Sequence, residues 1–145
     1  MNIRRSVLIA ALLLSACSPT DADELDYHRE PGFLTWAGIA ADVQAPATVQ
    51  AGQPFTIRVV TFGSTCRRPA PAEVVRVGLR TDVAVYVQEP VGGTCNRALG
   101  HLEHDVELVF AERGTALVRI HGQGYGAGAG EAHAPLTIER TITVQ

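Results

Sequence analysis

The sequence contains no lysine, and it is poor in several other residue types on which common activities depend. All 12 basic residues are arginines, against 15 acidic residues and a formal net charge of −3. Because nucleic-acid phosphates need a basic surface, this balance argues against a nucleic-acid partner. Serine is scarce after position 17, where it occurs only as Ser18 and Ser64, and no Gly-x-Ser-x-Gly motif is present. With no other enzyme signature in the chain, we expect a non-catalytic protein that needs no cofactor.

The chain also lacks an apolar run long enough to cross a membrane as a helix. Its longest such run, residues 7–14, has about half of the roughly 20 residues that a bilayer requires. The run follows Arg4 and Arg5 and is followed by the small residues Ser15 and Ala16. This order of charged, apolar and small residues is typical of a secretory signal peptide.

The end of this signal resembles the lipobox of bacterial lipoproteins, with Leu14-Ser15-Ala16-Cys17 in the matching order and position. The resemblance implies removal of residues 1–16 and attachment of a diacylglycerol to Cys17. An ordinary signal peptide with a chance cysteine is the alternative. In the lipoprotein pattern, Ser18 after the cysteine resembles sorting to an outer membrane. The resemblance therefore implies export and a lipid anchor in the cell envelope, so that the membrane is reached through the lipid.

Removal of the signal would leave a short, acidic chain with room for one domain. Ten arginines would then face 15 acidic residues, a net charge of about −5 on 129 residues. Residues 17–32 are polar and acidic, and such a segment cannot bury much apolar surface. We therefore predict a lipidated cysteine with an acidic tether over residues 17–32, followed by one domain over residues 33–145.

That domain shows the two-residue period of β-strands and no helical stripe. Alternating apolar residues recur in short runs, with a turn predicted at Thr81-Asp82 and others at Gly- and Pro-rich segments. The segment 45–57, with its Gly-Gln turn, resembles the opening of bacterial immunoglobulin-like domains. We predict an all-β fold, an immunoglobulin-like antiparallel β-sandwich of about seven strands. Such a sandwich would display the loops 63–72, 91–104 and 122–134 at its ends.

Two cysteines, Cys66 and Cys95, remain once Cys17 carries a lipid. In an exported protein an even number of cysteines favours a disulfide. A redox site or a metal pair is the alternative, but neither cysteine lies in a Cys-x-x-Cys motif. We predict a structural disulfide between Cys66 and Cys95.

The same disulfide would place Arg67 and Arg68 near Arg97 on an otherwise acidic domain. Three guanidinium groups could hold a carboxylate or a phosphate bidentately, which makes these residues a candidate anion site. Solvated loop positions are the alternative interpretation.

Histidine offers a second candidate site, in the segment His101-Leu102-Glu103-His104-Asp105. Imidazoles and carboxylates this close can bind a metal ion. His101 and His104 would face opposite sides of a strand, however, so only a turn would let both reach one ion. A solvated loop leading into a strand at Val106 is the alternative that we favour.

The glycine-rich residues 122–130 are followed by a predicted strand, whereas a nucleotide-binding loop would need a helix there. A hairpin connection explains the glycines, and Tyr125 is a candidate contact residue for a partner. Together these features predict an envelope lipoprotein that acts as a binding module for a protein or a glycan. A structural subunit of an envelope assembly is the alternative, and a metal-binding periplasmic protein is a third possibility.

Overall fold

The computed structural model describes residues 26–92, 98–126 and 133–145, and in these residues all regular structure is β. No helix in the described part of the chain is long and apolar enough to cross a membrane. The described strands are β1 (Tyr27–Pro31), β2 (Phe33–Trp36), β3 (Ile39–Ala40), β4 (Val43–Gln44), β5 (Thr48–Val49), β6 (Phe55–Ser64), β7 (Arg68–Val77), β8 (Arg80–Pro90), β9 (Leu99–Leu108), β10 (Gly114–Tyr125) and β11 (Ala134–Val144).

These strands form one curled, mixed sheet around a shared core. Its main path runs β1-β8-β10-β2-β6-β4, while β7 pairs with β8, β9 pairs with β6, and β11 joins β10 to β5. The predicted all-β class is confirmed. The purely antiparallel arrangement is wrong, because β10 runs parallel to both β8 and β2, and β11 runs parallel to β5. Between β8 and β10 the chain passes through β9, which pairs with β6, so it returns beside β8 in the same direction.

The core is built by the alternation seen in the sequence. Every second residue is buried along most of β8, in the first part of β10 and in the second half of β9, and Phe110, Ile57, Ile120 and Ile142 are among the largest fully buried side chains. Apolar side chains from β6 and β9 share this core with those from β8, β10 and β11. Burial of each such side chain favours folding by about 1.5–3 kcal/mol.

The N-terminal segment, residues 27–36 with β1 and β2, fills the space where β8 and β10 separate. β1 pairs with the second half of β8, and β2 pairs with the last residues of β10. Gly32, between them, donates its N–H to the carbonyl of Val85 at 2.9 Å, and its own carbonyl accepts from the N–H of Gln123 at 2.8 Å. The predicted tether of residues 17–32 is therefore wrong over 27–31, because strand pairing satisfies the backbone of these residues.

Two other predicted boundaries differ from the structure. The turn predicted at Thr81-Asp82 lies instead at Gly78-Leu79, and Thr81 is fully buried inside β8. The predicted loop around the histidines is part of β9, which begins at Leu99 and pairs with β6 along its length. Strand pairing across the sheet extends both strands beyond the limits that local sequence signals suggested.

Candidate functional site

Four aromatic side chains from three separate parts of the sequence meet at one end of the sheet. We call them the aromatic cluster: Phe33, Trp36, Tyr125 and His133. β2 supplies the first two, β10 ends in Tyr125, and His133 immediately precedes β11. The parallel pairing of β2 with β10 sets Trp36 opposite Tyr125, which brings the rings together.

The cluster has a buried base and an exposed outer layer. Phe33 is buried and meets Trp36 edge to face, with ring centroids 5.6 Å apart and planes at 86°. Trp36 and Tyr125 stack on each other, with centroids 4.2 Å apart and planes at 23°. Trp36 is half-buried, and Tyr125 is 36% exposed. His133 is exposed, and its ring centroid lies 5.2 Å from that of Phe33. Part of the aromatic surface is therefore left open to solvent at this end.

A strained turn holds Trp36 in place. The two residues between β2 and β3, Ala37 and Gly38, have φ angles of 49° and 82°, as the central residues of a type I′ turn do. The left-handed region costs a residue with a side chain about 1–2 kcal/mol. The Ala37 N–H donates to the carbonyl of Tyr125 at 2.9 Å, which ties the turn to the cluster. Strain of this kind is concentrated at ligand-binding sites.

Arg67 packs behind the cluster and is neutralised by two carboxylates. Its guanidinium lies 5.8 Å from the centre of the Phe33 ring and pairs with Glu30 at 2.5 Å and with Glu89 at 2.8 Å. Its side chain is only 17% exposed. The guanidinium is therefore engaged by protein carboxylates and is not presented to an external anion.

The other members of the predicted anion site do not join Arg67. Arg68 stacks on the Tyr27 ring at 3.6 Å and donates from Nε to Gln88 at 3.0 Å. Arg97 lies outside the described residues. The described part of the predicted arginine cluster is thus divided between two separate sets of contacts.

The predicted cysteine sites fall largely outside the described residues. Cys66 follows β6, whereas Cys17 and Cys95 are both among the residues that are not described. The N–H of Thr65 donates to the carbonyl of Ala98 at 3.1 Å, so the chain around Cys66 lies beside the segment that follows Cys95. This contact is compatible with the predicted disulfide, which stays a prediction.

The two candidate metal-ligating histidines lie on opposite faces of β9. His101 is exposed and packs on Phe62, with ring centroids 5.3 Å apart, while His104 is buried. The Nε2 atom of His104 lies 2.9 Å from Oγ1 of Thr61, and burial lowers the pKa of the imidazole. No group of three or more metal-ligating side chains occurs among the described residues. The strand thus does not bring the two imidazoles to one ion.

A polar network on the outer face of the sheet was not anticipated from the sequence. Asp82 Oδ1 lies 2.7 Å from Nε2 of His121, and Nδ1 of the same ring lies 3.0 Å from Oγ1 of Thr137. Arg119 donates to the same carboxylate oxygen from Nε at 2.7 Å. These contacts, with that of His121 first, lower the pKa of Asp82. Because the residues come from three strands, no local motif marks them.

A shallow groove of about 520 Å³ lies beside the short strand β4. Its polar side is an ion pair in which Arg58 donates to Asp105 from Nε at 2.8 Å and from Nη2 at 3.1 Å. The hydrogen bond with Arg58 lowers the pKa of Asp105. Both charged side chains are thereby already paired with each other.

Sequence reasoning found one member of the aromatic cluster, Tyr125, and assigned Trp36 no binding role. The signal that it did not use is the Ala-Gly turn directly after Trp36, the one tryptophan in the chain. Comparisons with family models, with curated proteins and with solved structures each gave no match.

Proposed function

We propose that the chain is a lipid-anchored protein of the bacterial cell envelope and that its β domain is a non-catalytic binding module. The aromatic cluster is its binding surface, and the ligand is a glycan or a protein. The observation that carries this proposal is the stacked pair of Trp36 and Tyr125, in which Trp36 is half-buried and Tyr125 is 36% exposed. Tryptophan and tyrosine combine a large apolar ring with a polar tip, and they dominate the energetics of binding surfaces.

The rigidity of the cluster supports the same proposal. Trp36 and Tyr125 lie at the ends of paired strands, and the hydrogen bond from Ala37 to Tyr125 joins the turn to β10. A ligand that meets such a surface finds the rings already ordered, so binding does not have to immobilise them. The strained φ of Ala37 is also in keeping with a binding role.

The envelope location rests on the resemblance of residues 14–17 to a lipobox. The first described strand begins at Tyr27, so about ten residues would separate the lipid on Cys17 from the sheet. Fully extended, that linker spans about 35 Å. The domain would therefore lie close to the membrane surface.

An immunoglobulin-like sandwich is the finer fold that we propose for the curled sheet. Its support is the core, in which side chains of β6 and β9 pack together with those of β8, β10 and β11. The parallel pairs of β10 are a departure from the antiparallel arrangement of that fold.

The binding proposal is tested by crosslinking in intact cells that express the full-length protein. We expect Trp36→Ala and Tyr125→Ala to lose the crosslinked partner or glycan that the unchanged protein captures. Tyr27→Ala is the matched control, since this ring stacks under Arg68 and is not part of the cluster. Capture that survives both cluster substitutions at equal protein levels would show that the binding surface lies elsewhere.

The anchor is tested separately by the substitution Cys17→Ser. We expect the unchanged protein to sediment with membranes and to carry radioactivity from labelled fatty acid, and the variant to lose both. Membrane association and lipid labelling that persist in the variant would contradict the lipobox interpretation.

The structural-subunit alternative has one specific observation in its favour. Val75 and Val77 on β7 are 63% and 74% exposed, and the described strands give β7 a single pairing partner, β8. An edge strand of this kind can pair with a neighbouring protein. We expect Val75→Arg to leave capture through the aromatic cluster unchanged, and a loss of capture in this variant alone would favour the alternative.

A further inference from the structure

The shape of the aromatic cluster restricts the kind of ligand that it can bind. The rings of Trp36 and Tyr125 are nearly parallel, at 23°, while Phe33 stands at 86° to Trp36 and at 78° to Tyr125. Phe33 thus supports the stacked pair from behind. Tyr125 is 36% exposed and Trp36 is half-buried, so part of the ring surface of the pair is available for a flat ligand to stack on.

The chemistry of those faces favours a partner with weakly positive C–H groups. The π face of an aromatic ring carries partial negative charge. One face of a pyranose ring presents several C–H bonds of opposite polarity, whereas its hydroxyl groups point outward around the rim. Such a ring can lie on Trp36 or Tyr125 while its hydroxyls reach polar groups at the edge.

Polar groups suited to those hydroxyls surround the stacked pair. The Trp36 indole N–H is a donor, the Tyr125 hydroxyl both donates and accepts, and the exposed ring of His133 adds a third polar edge. Apolar surface with a few such groups is the usual composition of a small-molecule site.

The charge around the cluster argues for an uncharged ligand. Arg67 is the charged side chain in contact with the rings among the described residues, and it lies behind Phe33. Glu30 and Glu89 pair with it and cancel its charge. A phosphorylated or acidic ligand would therefore find no available counter-charge in the described site.

The spacing of the rings argues against a proline-rich peptide. Domains that bind such peptides use grooves lined by aromatic rings that stand apart. Here the ring centroids of Trp36 and Tyr125 are 4.2 Å apart, so the rings are in contact and leave no slot. A flat stacking surface remains.

We infer that the aromatic cluster binds a neutral sugar ring of a glycan, stacked on the outer face of the Trp36–Tyr125 pair. This inference rests on the proposed function, and it narrows the ligand class from a protein or a glycan to an uncharged carbohydrate.

Binding at this site can be followed by the intrinsic fluorescence of Trp36, because it is the one tryptophan in the chain. The experiment titrates the purified full-length protein in detergent with chitotetraose and with maltotetraose as neutral probes. Tetragalacturonic acid and a proline-rich decapeptide serve as competing ligand classes. We expect a saturable change in tryptophan fluorescence with at least one neutral sugar and none with the acidic sugar or the peptide.

Substitutions at Tyr125 test whether the sugar stacks on this ring or changes the fluorescence of Trp36 indirectly. We expect Tyr125→Ala to weaken binding of the neutral sugar at least tenfold, and Tyr125→Phe, which keeps the ring, to weaken it less than threefold. Tyr27→Ala is again the matched control and should leave the affinity unchanged. Equal affinities of Tyr125→Ala and the unchanged protein would overturn the inference, as would a response to the acidic sugar or the peptide that matches or exceeds the response to the neutral sugars.

The inference and the proposed function can fail independently. If no neutral sugar changes the fluorescence while Trp36→Ala and Tyr125→Ala still abolish capture in cells, the sugar assignment is wrong and the binding surface stands. If both substitutions leave capture in cells intact, the proposed function itself is wrong.

Discussion

Gly122 of β10 lies directly against the backbone of Gly32. A Cβ atom built on Gly122 would lie 2.5 Å from the carbonyl oxygen of Gly32 and 2.8 Å from Cγ of Leu34. This close approach lets the N-terminal segment enter between β8 and β10, because Gly32 bonds to both neighbouring strands through Val85 and Gln123.

Gly122→Ala should therefore destabilise the domain. The added methyl meets a backbone oxygen that cannot move without breaking strand pairing, and overpacking of this kind costs about 1–3 kcal/mol. Urea denaturation followed by Trp36 fluorescence measures the loss. Gly100→Ala is the matched control on β9, where the nearest atom to a new Cβ lies at an ordinary 3.5 Å, and its stability should change by less than about 0.5 kcal/mol. Equal stabilities of the two variants would contradict the proposed close contact.

Ala37→Asn should stabilise the domain. Ala37 has a φ of 49° in a two-residue turn followed by Gly38, and Asn-Gly is the preferred pair at such positions. Since asparagine tolerates the left-handed region better than alanine does, we expect a gain of about 0.5–1 kcal/mol in the free energy of unfolding. Ala40→Asn, in the adjoining strand β3 and without a positive φ, should give no gain. A thermal denaturation series that ranks Ala40→Asn above Ala37→Asn would rule out the strained turn.

His104 should make the stability of the domain dependent on pH near neutrality. Burial holds the pKa of His104 below its ordinary value of 6.5, so the unfolded chain takes up this proton at a higher pH than the folded chain does. The contribution of the neutral, buried imidazole is complete above about pH 6.5 and is lost as the pH falls from there through the lowered pKa of the folded protein. We expect the free energy of unfolding to decrease between pH 7 and pH 5 by up to about 1.4 kcal/mol per pH unit.

His104→Gln should flatten this pH dependence while lowering the stability at pH 7. Urea titrations at half-unit intervals measure both effects. The carboxyl groups of Asp82 and Asp105 have lowered pKa values, so the stability that they contribute is lost below about pH 4, outside this window. Parallel pH profiles for the variant and the unchanged protein would refute the role of His104.

The predicted pairing of Cys66 with Cys95 would have a measurable consequence. Closing a loop of about 30 residues stabilises a fold by about 3–4 kcal/mol in the chain-entropy model, so we expect the double Ser variant to melt several degrees lower. Intact-mass measurement after thiol alkylation of the exported protein checks the bond directly. Alkylation of both residues without prior reduction would show that they are free thiols.

Parts of the fold could be predicted because they depend on local alternation. Val83, Val85 and Val87 of β8 are spaced two apart in the sequence and are all fully buried. The same signal correctly places β6 and β11. The alternation of apolar residues does not indicate the direction in which neighbouring strands run. The parallel alignment of β8 with β10 therefore could not be predicted from either strand alone.

The candidate site was less accessible to prediction for a related reason. Tyr125 was identified because it lies in the glycine-rich segment that the sequence predicts to be a hairpin connection. Its stacking on Trp36 depends on the register between β2 and β10, which pairs residues almost 90 positions apart. Likewise, Arg67 was interpreted as a free cation, because the carboxylates of Glu30 and Glu89 that neutralise it come from two other strands.

The sequence by itself determined the all-β character of the domain, since side chains that alternate with a period of two can form one apolar face only on a strand. Only the tertiary structure decided how far the folded part reaches toward the N-terminus. Residues 27–31 include one arginine and one glutamate and have no apolar alternation. They form a strand because β8 and β10 separate, which leaves backbone N–H and C=O groups of these strands without partners. β1 and Gly32 form hydrogen bonds with those groups.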